Sequence, residues 1–201
     1  MMEIAYRVGN GLYVNLTNRC SSACTFCLRQ TTDTVGESDS LWLEREPTAK
    51  EAIDAIAARL PEGFSEVVFC GFGEPTCALD VLLEVGAWLK EHTSLPVRLN
   101  TNGQGNLIAG RDITGDLARC VDVVSISLNV PDAHRYQQIV RSQFGERSYG
   151  AMLEFARACA ARGIDVVMTT VETTISAEDE CECQRICDEL GVRYRIREWV
   201  D

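Results

Sequence analysis

Three cysteines lie within eight residues of one another near the start of the chain, in the stretch C-S-S-A-C-T-F-C, at Cys20, Cys24 and Cys27. Thiolates at this C-x3-C-x2-C spacing can converge on one iron–sulfur cluster, because cysteine is its usual ligand and a short loop can wrap one corner of the cube. Three ligands for four irons leave one iron open to a substrate. The spacing alone leaves a zinc site as an alternative, with Cys70 or Cys77 as the fourth ligand that tetrahedral zinc requires.

The composition indicates how such thiols would be used. The chain of 201 residues has ten unevenly spaced cysteines and no cationic segment followed by an apolar one at its N-terminus. This favours metal binding or catalysis in a reducing compartment over a disulfide framework. The apolar runs are far shorter than the roughly 18 residues of a membrane span, so we expect a cytoplasmic protein without a signal peptide. The net charge of −11 argues against a broadly cationic surface for nucleic acid or membranes.

The pattern of strands and helices predicts how the thiols are positioned. Two strand-like runs, E-I-A-Y-R-V and L-Y-V-N-L-T, flank a Gly-Asn-Gly turn, which predicts an N-terminal β-hairpin. From the second run onward, six β segments are separated by helices or crossover loops, the pattern of parallel βαβ units. The chain is shorter than the roughly 250 residues of a complete eight-fold barrel. We therefore predict an α/β fold, a partial (β/α)6 barrel of the TIM type, as one domain over residues 1–201.

Individual element boundaries are also predicted. Thr48 with Glu51 three residues later forms a capping-box pattern, which opens a helix that stops at Pro61 and Gly63. A long Gly/Asn-rich loop is expected after the strand V-R-L-N-T. A second loop is expected to run from the strand V-D-V-V-S-I-S-L to about Arg147.

Glycines and polar residues recur where the predicted strands end. In parallel α/β folds, the loops that leave the carboxyl ends of the strands carry the site. We therefore expect a pocket at this rim. Its members, besides the cysteine loop, are G-F-G-E-P (71–75), N-T-N-G (100–103), S-I-S-L-N (125–129), T-T-V-E (169–172), Arg195, Arg197 and Glu198.

These motifs together resemble the radical S-adenosylmethionine (radical SAM) superfamily, whose hallmark is C-x3-C-x-aromatic-C, with Phe26 in the aromatic place. The resemblance spans nearly the whole chain, because the companion motifs follow the hallmark in the family's order. It implies a [4Fe–4S] cluster held by Cys20, Cys24 and Cys27, whose open iron chelates the amino and carboxylate groups of SAM. It also implies a flavodoxin- or ferredoxin-like one-electron donor. The implied reaction cleaves SAM to methionine and a 5′-deoxyadenosyl radical that abstracts hydrogen from an unidentified substrate.

The resemblance also implies which residues contact SAM. Gly73 and Glu74 match the motif along the methionine amino group, and Phe26 matches a position near the adenine. One departure is Phe72, where the family usually has glycine, which puts the local loop shape in question. Further polar positions match those around the ribose, the carboxylate or the substrate: Thr101, Ser127 and Asn129.

A narrower resemblance concerns V-V-F-C-G-F-G-E-P-T, R-L-N-T-N-G-Q-G-N-L-I, V-S-I-S-L-N-V-P-D and R-S-Q-F-G-E-R-S-Y-G-A-M-L-E-F-A. These stretches are similar to those of the TatD-linked radical SAM proteins. The similarity implies a TatD-type hydrolase as a partner.

Arg195 and Arg197 are two residues apart on the last predicted strand and so lie on one face. If that face lines the barrel, we expect them to bind an anionic part of SAM or of the substrate. The alternative is an outward ion pair with a neighbouring helix.

The remaining cysteines have a structural interpretation. Cys183 and Cys187 share one helical face beside Cys181, but an auxiliary iron–sulfur site needs about four ligands, so their roles stay open. Four others lie at strand or helix positions where free cysteine behaves as a small buried hydrophobe: Cys70, Cys77, Cys120 and Cys159. The rival class for the whole chain is a non-catalytic iron–sulfur or zinc module, which would need neither G-F-G-E-P nor S-I-S-L-N.

Overall fold

The computed structural model describes residues 2–36 and 38–198. Within these ranges there are seven strands and seven α-helices. The strands are β1 (Ala5–Val8), β2 (Gly11–Val14), β3 (Glu66–Phe69), β4 (Val97–Thr101), β5 (Val123–Ser127), β6 (Asp165–Val171) and β7 (Arg193–Arg197). The helices are α1 (Ala49–Arg59), α2 (Leu79–His92), α3 (Gly105–Ala109), α4 (Thr114–Leu117), α5 (Ala133–Val140), α6 (Arg147–Ala161) and α7 (Ala177–Leu190).

The strands form one sheet in chain order, β1 to β7. β1 and β2 pair antiparallel as the predicted hairpin, with Val8 opposite Gly11. Every later pair is parallel, from β2 with β3 through β6 with β7. The sheet is not closed, since β1 and β7 are its two edges. The predicted partial barrel and its N-terminal hairpin are therefore confirmed.

Alternation along the strands separates the core from the interior of the barrel. Strand residues such as Phe69, Leu99 and Ile126 are fully buried in the main hydrophobic core, together with helix residues such as Leu82 and Phe155. Because successive side chains of a strand point to opposite faces, their neighbours face the barrel interior. Those interior neighbours are mostly polar, as the pocket described below shows.

The predicted start of α1 is also confirmed. The Thr48 side chain accepts a hydrogen bond from the backbone of Glu51, and the Glu51 carboxylate accepts one from the backbone of Thr48. The helix ends at Arg59, and a 3-10 turn that contains Pro61 follows it. Proline fits the first turn because its missing N–H has no helical partner there.

Two predicted loops contain helices. α3 lies in the segment expected to be a Gly/Asn-rich loop after β4. α5 lies in the segment expected to be a loop up to Arg147, and Asp132 caps it by accepting a hydrogen bond from the Arg135 backbone. Both predictions were wrong because α3 and α5 are short, with five and eight residues, and are rich in glycine or polar residues, which local sequence patterns do not distinguish from a loop.

Among the described residues, no helix combines the length and apolarity that spanning a membrane requires.

Candidate active site

The cysteine loop leaves β2 and is fastened to the end of α5. The backbone N–H groups of Ala23 and Thr25 donate to the carbonyls of Val140 (3.1 Å) and Ile139 (2.9 Å). The last carbonyls of a helix have no partner within it, so the loop supplies the donors that α5 lacks. On the far side, the Gln143 N–H donates to the Ser21 carbonyl at 2.9 Å. The cysteine loop is thus held by α5, a helix that lies where the sequence predicted a loop.

A second anchor is Gln104, whose side chain is fully buried. Its Oε1 accepts hydrogen bonds from Ser21 Oγ (2.9 Å) and Ser142 Oγ (2.8 Å). Its Nε2 donates to Ser22 Oγ at 3.2 Å and to Tyr136 Oη at 3.4 Å. Ser21 and Ser22 are two of the three residues between Cys20 and Cys24. One amide therefore satisfies four buried hydroxyl groups and fixes the loop between the first two cysteines.

Cys20, Cys24 and Cys27 are all free thiols of intermediate exposure. Burial raises the pKa of Cys20, and it raises the pKa of Cys24 to about 12 together with the negative charges of Cys20 and Cys27. A cation bound among the three cysteines would therefore stabilise their thiolate forms. Within the described residues, no three His, Cys, Asp or Glu side chains surround a single ion position. A four-iron cluster needs no such position, since each thiolate binds a different iron.

The G-F-G-E-P loop packs directly on the chain that leads to the cysteines. The Glu74 N–H donates to the Arg19 carbonyl at 2.8 Å. A Cβ at Gly73 would lie 2.2 Å from the Thr17 carbonyl oxygen and 2.6 Å from that of Arg19. Glycine at position 73 therefore allows two backbone segments to touch.

Phe72, the departure from the family motif, points away from this contact. Its side chain is buried in a small cluster with Tyr6 and Leu41. Its ring packs edge to face against Trp42 with the ring centroids 5.2 Å apart. The aromatic side chain therefore leaves the close approach at Gly73 undisturbed.

The Glu74 carboxylate is only 3% exposed and is held by four hydrogen bonds. Its Oε1 accepts from Thr101 Oγ1 (2.7 Å) and from the hydroxyl (2.7 Å) and N–H (3.1 Å) of Thr76. Its Oε2 accepts only the Asn102 N–H, at 2.8 Å. Burial raises the pKa of Glu74, and these hydrogen bonds oppose the rise. Oε2 keeps the capacity to accept a further donor.

Asn102 connects this carboxylate to the cysteine loop. While its backbone N–H binds Glu74, its side-chain Nδ2 donates to Ser21 Oγ at 3.0 Å and lies 4.0 Å from Cys20 Sγ. Glu74 and Cys20 are therefore one residue apart in the hydrogen-bond network. Asn102 belongs to the predicted N-T-N-G motif, whereas Gln104 follows that motif directly and was not predicted.

A cavity of about 360 Å³ opens at the carboxyl ends of the parallel strands, as predicted from the rim motifs. Glu74 is the acidic residue among the side chains that line it. The others are Tyr13, Cys70, Gly71, Gly73, Arg98, Asn100, Thr101, Asn102, Ser125, Ser127, Thr169, Arg195 and Arg197.

Several expected site residues lie outside this lining. Phe26 is 38% exposed on the cysteine loop. Asn129 is buried with a left-handed backbone (φ 65°), and its Nδ2 donates to the Ser127 carbonyl at 3.4 Å. The three cysteines do not line the cavity, but Cys20 Sγ lies 4.0 Å from Nδ2 of Asn102, which does. The cavity thus brings together Gly73, Glu74, Thr101, Ser127, Arg195 and Arg197.

The arginines occupy the side of the cavity formed by β4 and β7. Arg98 is bound by Glu66 through two hydrogen bonds of 2.7 and 2.9 Å. Arg195 and Arg197 have no ion-pair partner within the described part of the chain, and both are exposed to solvent. The pKa of the Arg197 guanidinium is lowered, chiefly because this end of the otherwise exposed side chain is desolvated in the cavity and further because Arg195 and Arg98 are nearby. Over residues 2–36 and 38–198, the outward ion pair considered for these arginines is not formed.

The radical SAM superfamily model matches residues 14–190, which include the cysteine loop and the parallel strands β3 to β6. The chain belongs to the radical SAM superfamily. Members of this superfamily use a [4Fe–4S] cluster and SAM. The donor set here fits such a cluster, because three free cysteines lie on one loop that is fixed beside a polar cavity.

The curated relatives of this radical SAM protein are longer. GTP 3′,8-cyclase 2 of Mycobacterium bovis is 31% identical over 201 residues, which cover 96% of this chain and 51% of the relative. GTP 3′,8-cyclase of Corynebacterium glutamicum is 31% identical over 165 residues, which cover 77% of this chain and 39% of that protein. The chain spans between 39% and 51% of the length of these curated relatives.

Solved structures share the radical SAM fold at lower identity. SuiB of Streptococcus suis bound to S-adenosylmethionine superposes with a TM-score of 0.70 at 17% identity, over 94% of this chain and 40% of that one. A radical SAM methyltransferase from Sphaerobacter thermophilus gives a TM-score of 0.68 at 19% identity, over 96% and 57% of the two chains.

The other cysteines lie apart from the radical SAM hallmark. Cys120 and Cys159 are buried, as expected, but Cys70 and Cys77 are half-exposed, and Cys70 lines the cavity. The prediction of burial was wrong for these two because Cys70 directly follows β3 at the cavity and Cys77 lies in the short 3-10 turn before α2, so neither fills the core. On α7, two cysteines face the hydrophobic core and one faces solvent: Cys183, Cys187 and Cys181, respectively.

Proposed function

We propose that the chain is a radical SAM enzyme whose cluster is held by Cys20, Cys24 and Cys27. When bound, the cluster and SAM supply reductive cleavage of the sulfonium to methionine and a 5′-deoxyadenosyl radical, which takes a hydrogen atom from the substrate to give 5′-deoxyadenosine. The observation that carries the proposal is the contact between the cysteine loop and Glu74 through Asn102. A cluster bound by the cysteines and a ligand bound at Glu74 would be neighbours.

Three residues of the chain have different roles in binding SAM. Glu74 Oε2 accepts hydrogen bonds from the methionine amino group, since its other oxygen is fully engaged. Thr101 orients Glu74, because its hydroxyl donates to the carboxylate and accepts the Gly103 N–H at 3.1 Å. Gly73 keeps the carboxylate against the cysteine loop.

Three further residues complete the proposed SAM site. Ser127 lines the cavity and offers its hydroxyl to the ribose or the substrate. Asn129 shapes the chain after Ser127 through its left-handed backbone. Phe26 stands beside Cys27, where its ring would pack against the adenine of SAM.

The proposed partner is a flavodoxin- or ferredoxin-like one-electron donor, which the reductive cleavage requires. The cytoplasmic location stays a prediction. So do the narrower resemblance to TatD-linked proteins and the TatD-type hydrolase partner, because the curated relatives carry a different name.

GTP cyclisation is a second candidate function, favoured by the 31% identity to proteins named GTP 3′,8-cyclase. The chain spans only part of those relatives, so their substrate does not transfer without its own test. Incubation of the reconstituted protein with SAM, reductant and GTP would decide it. GTP-dependent formation of a cyclised nucleotide supports this candidate, and unchanged GTP beside active SAM cleavage opposes it.

SAM cleavage tests the proposed function. The protein is reconstituted anaerobically with iron and sulfide, SAM and dithionite are added, and 5′-deoxyadenosine is measured by chromatography. We expect product from the natural chain and from Cys181→Ala, which removes an exposed thiol on α7, and none from Cys27→Ala. A fully loaded cluster that yields no 5′-deoxyadenosine would support the rival non-catalytic iron–sulfur module.

A further inference from the structure

Two guanidinium groups reach the cavity without a carboxylate partner among the residues that the structure describes. Arg195 and Arg197 stand on the same face of β7 and both line the cavity. The third arginine of the cavity, Arg98, is already paired with Glu66. Among the described residues, the only acidic side chain in the lining is Glu74, whose carboxylate is turned toward Thr76, Thr101 and Asn102. The arginine pair is therefore the uncompensated charge of the pocket.

SAM bound as proposed would not compensate that charge. In the proposed function, the amino and carboxylate groups of SAM lie on the open iron beside Glu74, and the sulfonium adds a positive charge of its own. The pocket with SAM in place then holds two guanidinium groups that still lack an anion. A cationic site in a chain with a net charge of −11 is a local feature, not an effect of composition.

We infer that Arg195 and Arg197 bind a dianionic phosphate group of the substrate. Two guanidinium groups match the charge of a phosphate monoester and present the paired N–H donors that its oxygens accept. The inference rests on the proposed function, since it assigns part of the same cavity to the substrate that SAM would act on.

The surroundings of the pair suit a phosphorylated molecule of moderate size. Neutral hydrogen-bonding side chains line the wall between the arginines and Glu74: Asn100, Ser125, Ser127 and Thr169. Tyr13 offers an aromatic surface beside Arg98, whose guanidinium lies 6.0 Å from the ring centroid. The phosphate would be fixed at β7, and the rest of the substrate would extend across the cavity toward SAM.

Binding of methyl phosphate to the reconstituted, SAM-loaded protein tests the inference by anaerobic titration calorimetry. We expect binding that weakens as ionic strength rises. Arg195→Gln and Arg197→Gln should each reduce the affinity about 10- to 100-fold, as expected for loss of one charge-assisted hydrogen bond. The control is Arg193→Gln, two residues earlier on the same strand face, where the guanidinium pairs with Asp165 instead. It should leave methyl phosphate binding unchanged.

SAM affinity, measured in the same variants, shows whether the arginines bind a phosphate of the substrate or the carboxylate of SAM. Unchanged SAM affinity in Arg195→Gln and Arg197→Gln supports the substrate site. A parallel loss of SAM affinity would assign the pair to the carboxylate of SAM and overturn the inference. Methyl phosphate binding that is absent in the natural chain, or that is equal in all variants, would also overturn it. Failure of SAM cleavage would count against the proposed function and leave this binding result intact.

Discussion

At the scale of single residues, the central feature is that hydrogen bonds fix the conformation of the Glu74 carboxylate. Three donors occupy one carboxylate oxygen, and a backbone N–H fixes the other. A carboxylate held this way does not reorganise when a ligand arrives, which is the condition for efficient electrostatic binding. The affinity of Glu74 for ligand donors depends on whether its carboxylate is protonated. Burial raises the pKa at which this happens.

Glu74→Gln should weaken SAM binding about 10- to 100-fold, the effect of removing a charge-assisted hydrogen bond. Burial raises the pKa of Glu74, so the natural chain should lose SAM affinity as the pH falls through a value above that of an ordinary glutamate. The variant should lack this pH dependence. Titration calorimetry across pH measures both effects, with Glu84→Gln on the exposed face of α2 as the control. Equal SAM affinity in the natural chain and Glu74→Gln would remove Glu74 from the site.

At the scale of elements, the site depends on loops that touch through backbone atoms. The G-F-G-E-P loop contacts the chain before Cys20, and the cysteine loop in turn is bonded to α5. The motifs predicted which loops would meet, because the carboxyl ends of parallel strands share one edge. They did not predict α5 or the hydrogen bonds of Gln104. Those depend on contacts between residues far apart in the chain, such as Gln104 with Ser21, which local periodicity does not encode.

Gly73→Ala should destabilise the protein by about 1–3 kcal/mol and weaken SAM binding, since overpacking between fixed backbones forces the loops apart. The added Cβ would stand 2.2 Å from the Thr17 carbonyl oxygen. Gly150→Ala is the matched control, because nothing lies within 4 Å of its added Cβ. Alanine within α6 should stabilise by up to about 1 kcal/mol. Denaturant unfolding measures both changes, and equal behaviour of the two variants would contradict the packing described for Gly73.

Gln104→Ala should destabilise the cysteine loop, because each buried hydroxyl left unpaired costs roughly 1–3 kcal/mol. We expect a lower free energy of unfolding and slower incorporation of iron during reconstitution. Gln184→Ala, at an exposed position on α7, should change neither quantity. Normal iron incorporation in Gln104→Ala would show that the cysteine loop keeps its shape without this anchor.

At the scale of the whole molecule, an open sheet of six parallel strands leaves a polar interior beside the cysteine loop. The class of fold was predictable, since strand and helix signals alternate along the chain. The side chains that line the cavity were predictable only in part. Arg195 and Arg197 follow from period-two alternation, and Ser127 and Asn102 from motifs at the strand ends. Cys70 was expected to be buried, but it lines the cavity because it directly follows β3. The prediction of one domain over residues 1–201 stays a prediction.

The cysteines should fall into two groups by iron content. Cys20→Ala, Cys24→Ala and Cys27→Ala should lose most of the iron after reconstitution, since each removes one of three ligands. Cys183→Ala should keep it, because that side chain packs in the core under α7, and should instead lower the free energy of unfolding. Iron analysis with unfolding curves measures both. Iron loss in Cys183→Ala without unfolding would indicate an auxiliary metal site.

The electron paramagnetic resonance spectrum of the reduced cluster, recorded with and without SAM, tests the central claim most directly. Three cysteine ligands leave one iron for the amino and carboxylate groups of SAM, so SAM should change the spectrum of the natural chain. Adenosine at the same concentration should leave the spectrum unchanged, because it lacks the methionine amino and carboxylate groups. A fully loaded, reduced cluster whose spectrum is identical with and without SAM would contradict an iron kept open for it.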